Sequence, residues 1–126
     1  MPYLFLGGYM ERNIIEFKSD TEEQHLIRMG PLKKYASDTV NYIEARFNLS
    51  EIWHQFESLA AVWYVDNITK SSMIDENGAT VIPQEVLTAP GILHMNLCAS
   101  TVRNNVVVAR VTSYPIDVLK LIKTKV

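Results

Sequence analysis

The clearest pattern along the chain is strict alternation of apolar and polar side chains. In residues 41–49, Ile43, Ala45, Phe47 and Leu49 alternate with Tyr42, Glu44, Arg46 and Asn48. A period of two is the mark of a strand with one buried face. Residues 92–100 repeat it, with Leu93, Met95, Leu97 and Ala99 on one face and His94, Asn96, Cys98 and Ser100 on the other. A β-branched run follows at 106–112, and the Asn-containing link 101–105 predicts that the two pair as a hairpin. Residues 59–65 are apolar on both parities, which predicts a strand covered on both faces or packed against another subunit. Asp75-Glu76-Asn77-Gly78 is a turn signal between Met73-Ile74 and Thr80-Val81-Ile82, and predicts a second, shorter hairpin. Pro83 heads one helical turn through Leu87, before Ala89-Pro90-Gly91 stops it.

Toward the N-terminus, residues 13–18 and 24–29 flank a polar stretch and predict a further hairpin, with a loop opening at Met29-Gly30-Pro31. For 116–122, the i, i+3 spacing of Ile116, Leu119 and Ile122 suits a short helix. Pro115 followed by Val118, Leu121 and Ile122 suits an edge strand, which is the reading taken. Short strands punctuated by Gly, Pro and Asn point to a mainly β fold, an antiparallel β-sandwich of immunoglobulin-like or jelly-roll-like form. Residues 40–126 are expected to form the sandwich, and residues 1–39 an N-terminal arm or hairpin.

A length of 126 residues fits a single domain that buries roughly two-thirds of its open-chain surface on folding. Twelve Lys and Arg against fourteen Asp and Glu leave a net charge of −2, a poor match to nucleic acid. The single cysteine, Cys98, excludes an internal disulfide or a cysteine metal cage, and its apolar neighbours suggest a small buried filler. Residues 1–6 are apolar but have no basic residue ahead of them, and Gly7-Gly8 follows, so neither a signal peptide nor a membrane span is expected. The two Asn-x-Ser/Thr matches, at Asn48 and Asn67, are then not expected to carry glycans.

Enzyme chemistry finds no anchor. His25, His54 and His94 lie far apart, without metal-ligand spacing. The carboxylates of Glu22-Glu23 and Asp75-Glu76 sit in predicted loops, where solvation explains them. No serine lies in a Gly-x-Ser-x-Gly elbow, and Gly7-Gly8 lacks the rest of a phosphate cradle. No catalytic residue, cofactor or metal is therefore predicted. Most of the aromatic residues suit a core or a subunit contact, but Trp53 and Tyr114 would serve as stacking platforms if the chain bound a glycan.

The order of features resembles a known family. Phe47-Asn48-Leu49-Ser50 is followed by Trp53, then Trp63-Tyr64 and Asn77-Gly78. After these come Val81-Ile82-Pro83-Gln84-Glu85-Val86-Leu87, Pro90-Gly91 and Arg110-Val111-Thr112. Residues 40–122 in this order resemble the small β-sandwich domain of tailed-phage virion proteins, found at the N-terminus of upper baseplate proteins and in head-fibre or neck-associated proteins. The Ile-Pro-x-Glu-Val-Leu segment followed by Pro-Gly is the most specific piece. The resemblance implies a non-enzymatic structural virion protein, an attachment and oligomerisation module located in the virion. Its partners would be itself, as a homo-oligomer such as a trimer, and other virion proteins. The apolar segment 1–10 would be costly to leave solvated, so Tyr3, Phe5 and Tyr9 are the expected subunit contacts. The alternative reading is a carbohydrate- or receptor-binding β-sandwich module.

Overall fold

The computed structural model describes residues 13–20, 24–37 and 43–123. The described residues form a β-sandwich. Its first sheet has the order β2-β1-β4-β7, from β1 (Ile14–Ser19), β2 (Leu26–Met29), β4 (Glu44–Asn48) and β7 (Ala79–Val81). The second has the order β3-β10-β8-β5-β6, from β3 (Lys33–Ala36), β5 (Ser58–Val65), β6 (Ile68–Met73), β8 (Gly91–Arg103) and β10 (Ile116–Ile122). One more strand, β9 (Val106–Thr112), pairs with the distal half of β8.

The core lies between the sheets and is built from the alternating positions. Leu93, Met95, Leu97 and Ala99 of β8 are fully buried, and Ile15, Phe17, Ala45 and Phe47 answer them from the first sheet. Phe17 and Phe47 are register partners, and their rings stack 5.2 Å apart. Trp63 is buried beneath β5 and donates its indole N–H to Ser72 Oγ at 2.9 Å. The 3₁₀ turn Gln84–Leu87 follows Pro83 as expected and buries Val86 and Leu87.

The sandwich differs from the simplest antiparallel pattern in two pairings: β1 runs parallel to β4, and β3 runs parallel to β10. Both come from the N-terminal stretch. The stretch expected as an arm or hairpin contributes, within 14–36, strands to both sheets, with Ile15 and Phe17 in the core. The predicted hairpin of β1 with β2 is present, whereas β3 fell in a predicted loop because Lys-Lys-Tyr-Ala carries no alternation.

The turn at Asp75 forms, but not the short hairpin predicted around it. Asp75 Oδ1 accepts the N–H groups of Asn77 and Ala79 at 2.9 and 3.0 Å, and Gly78 takes φ 78°. The chain then crosses between sheets, so that β6 pairs with β5 while β7 pairs with β4. A Cβ on Gly78 would lie 2.7 Å from the Phe47 carbonyl oxygen, so this crossing requires glycine. Strand β5 is covered on one face only: Ala61, Trp63 and Val65 are buried, and Ala60, Val62 and Tyr64 are half-buried on the outer face.

Candidate functional site

Strand β8 is thirteen residues long, and two strands share one of its edges. Strand β10 pairs along residues 91–95 and β9 along 98–103, with Ser113 between them. Buried Ser113 fixes this junction. Its Oγ accepts the Leu97 N–H at 2.7 Å, and its own N–H donates to the Leu97 carbonyl at 2.9 Å. Beyond it the β8–β9 hairpin runs out past the core. It closes at Asn104 and Asn105, with φ 52° and 64°, left-handed values that asparagine tolerates and that suit a two-residue turn. The five-residue link predicted at 101–105 is thus shorter, because β8 continues through Arg103.

The hairpin exposes four valines to water, beside Arg103, Asn104, Asn105 and Arg110. Val102, Val106, Val107 and Val108 are 44, 60, 45 and 57% exposed. Val102 and Val107 are register partners and share a face, while Val106 opposes Arg103 on the other. The register shift between Thr101 and Val102 leaves Val108 as an extra, bulged residue. Among the described residues no strand pairs with the outer edge of β9. Such an edge offers unpaired N–H and C=O groups to another chain. The base of the hairpin is tied down by Glu57, whose carboxylate accepts the Val102 N–H at 3.3 Å and pairs with the Arg103 guanidinium. The Arg103 hydrogen bond holds the Glu57 carboxyl below its usual range.

Two other features are less developed. A cleft of about 320 Å³ opens near the base of the hairpin, with Phe47, Trp53, Phe56 and Ile74 among its lining and Glu57, Asp75 and Glu76 at its polar side. On the outer face of the second sheet, His94 Nδ1 lies 2.8 Å from Asp117 Oδ1 and its ring lies 5.4 Å from Tyr64. Burial, with Asp117 nearby, pushes the Tyr64 hydroxyl pKa up. Among the described residues no group of three or more His, Cys, Asp or Glu is placed to hold a metal ion. No described helix is long and apolar enough to cross a membrane.

The residues singled out from sequence fare unevenly. Trp53 sits in the 3₁₀ turn Glu51–Gln55 and is 1% exposed, so it plugs the end of the core and offers no face to a sugar. Tyr114 is 54% exposed, with its ring 4.5 Å from that of His25. The two aromatics therefore do not form a common platform. Tyr3, Phe5 and Tyr9 lie outside the described residues. Cys98 is half-buried on the outer face of β8 and is not a core filler. The exposed valines were not singled out. Their signal was available, since three consecutive valines after an Asn-Asn turn occupy both faces of a strand and cannot all be covered by one core.

No protein-family model matches the chain, and no curated protein is similar to it. Among solved structures, it is similar to the N-terminal domain of phage TP901-1 ORF48, with a TM-score of 0.55 and 11% identity, over 90% of this chain and 98% of that one. At this identity the likeness shows a shared fold: the β-sandwich built here recurs as a domain of a phage protein.

Proposed function

We propose that this chain is a non-enzymatic structural component of a tailed bacteriophage particle, an attachment and oligomerisation module of the head fibre, neck or baseplate. The observation that carries the reading is the β8–β9 hairpin, an open-edged projection that leaves four valines in water. Contiguous apolar side chains left in water are a recurring feature of interaction surfaces. The fold shared with a phage domain supports the setting. A glycan-binding role retains only Tyr114 of its two proposed platforms, which makes it the weaker reading.

The test is particle composition. Phage particles purified from cells carrying the coding sequence should contain the protein in fixed proportion to the other structural proteins, and replacing Val107 with Lys should deplete it from them. Absence of the wild-type protein from intact particles contradicts the proposal. A change in tryptophan fluorescence on adding cell-wall polysaccharide would favour the glycan role instead.

A further inference from the structure

We propose that the open β9 edge receives residues 2–6 from a second copy of this chain as an added strand. The inference rests on the assembly reading above and names the surface and the segment that would meet. Strand addition uses the main-chain groups of an unpaired edge for affinity and the side chains on alternate faces for selectivity. Along its valines the β9 edge calls for a strand apolar on both faces, because Val102 and Val107 project to one side and Val106 to the other, with Arg103 and Arg110 flanking that stretch. Residues 2–6 fit that requirement: Tyr3 and Phe5 fall on one parity, Leu4 and Leu6 on the other, and no charged side chain occurs from Met1 to Met10.

Reach decides between the chain's own edge and a neighbour's. The Ile14 carbonyl accepts a bond from Lys33 Nζ, and Lys33 pairs with Leu119, which pairs with Leu93, so Ile14 lies toward the Gly91 end of β8, away from the hairpin tip. The Ser19 end of β1 is the one near β9, since Asp20 bonds the His25 carbonyl and Gln24 Nε2 donates to the Thr112 carbonyl at 3.0 Å. From Ile14 to the Thr112 level is about 20 Å of strand, and from there to Val107 about 17 Å more. Fully extended, the eight residue steps from Asn13 to Phe5 span at most about 28 Å. Phe5 therefore falls short of its own valines, whereas a neighbouring copy can bring its hairpin within range.

Cross-linking tests the pairing in the full-length chain with Cys98→Ser as background. Chains carrying Leu4→Cys or Leu6→Cys are mixed with chains carrying Val106→Cys or Val107→Cys and oxidised mildly. Thr69→Cys, on the exposed strand at the opposite edge of the same sheet, is the control. The expected result is an interchain disulfide to the hairpin cysteines formed about tenfold or more faster than to the control, because docking raises their effective concentration. Deleting residues 2–9 and introducing Val107→Lys should each lower the solution mass, and together lower it no further. Equal cross-linking to Thr69→Cys, or adducts confined to single chains, overturns the proposal. An oligomer that persists without hairpin cross-links defeats this inference and leaves the assembly reading intact. A wild-type protein that stays monomeric at every concentration defeats both.

Discussion

The two halves of β8 differ in both pattern and fate. From Gly91 to Ala99 its apolar face is sealed against the first sheet, with Leu93, Met95, Leu97 and Ala99 all at 0% exposure. Beyond Ser100 the inward parity carries Thr101 and Arg103, while Val102 falls on the outer parity and meets water together with its partner Val107 on β9. Burial of a side chain such as Leu97 contributes roughly 1.5–3 kcal/mol to folding. The valines beyond Ser113 contribute less to folding and keep much of their apolar surface available for association. One continuous strand thus serves stability at one end and, on the proposed reading, presents a contact surface at the other.

The sharpest way to break this contrast is to truncate each half in turn. Leu97→Ala should cost about 2–5 kcal/mol in urea denaturation, because it opens a cavity in a closed core. Gly78→Ala should cost about 1–3 kcal/mol, since alanine is strained at φ 78° and its Cβ meets the Phe47 carbonyl. Ser113→Ala removes the acceptor of the buried Leu97 N–H and should cost a similar 1–3 kcal/mol. That variant also tests whether the hairpin depends on its hinge, because hydrogen exchange in β9 should then rise more than in β5. On the distal half, Val107→Lys should change monomer stability by no more than about 0.5 kcal/mol, as expected for an exposed site. A loss above 2 kcal/mol there would erase the distinction between the halves.

The smallest effect concerns the tie at the hairpin base. Arg103 lowers the Glu57 pKa in the folded protein, so the tie adds stability above the ordinary carboxylate range, and that stability is lost as pH falls through the lowered folded value. In an NMR titration the Val102 amide should move in this acidic window, and Glu57→Gln should abolish the transition with little change in melting temperature.

Much of the sandwich is legible in the sequence because alternation reports one-sided burial directly: β4, β8 and the β1–β2 hairpin all show it. Pairing across the molecule is less legible. Strand β3 is polar and short, and is held by parallel hydrogen bonds to β10 rather than by a buried face. The Asp75 turn reads locally like a hairpin, but the chain changes sheet, with Thr80 Oγ1 donating to Ser72 Oγ across the step. Trp53 shows the same limit for the site: next to His54 and a polar turn it reads as a platform, and only the third dimension turns it inward. The valine hairpin is visible as a β-branched run, but which of its valines face outward depends on the pairing register and on the extra residue at Val108.

Solution mass by light scattering across a concentration series, for the wild type beside a Val107→Lys, Val108→Lys variant, tests the central claim most directly. The account predicts a wild-type mass that rises to a defined oligomer and a variant that stays monomeric and folded. A monomeric wild type, or a variant that assembles as the wild type does, would contradict it.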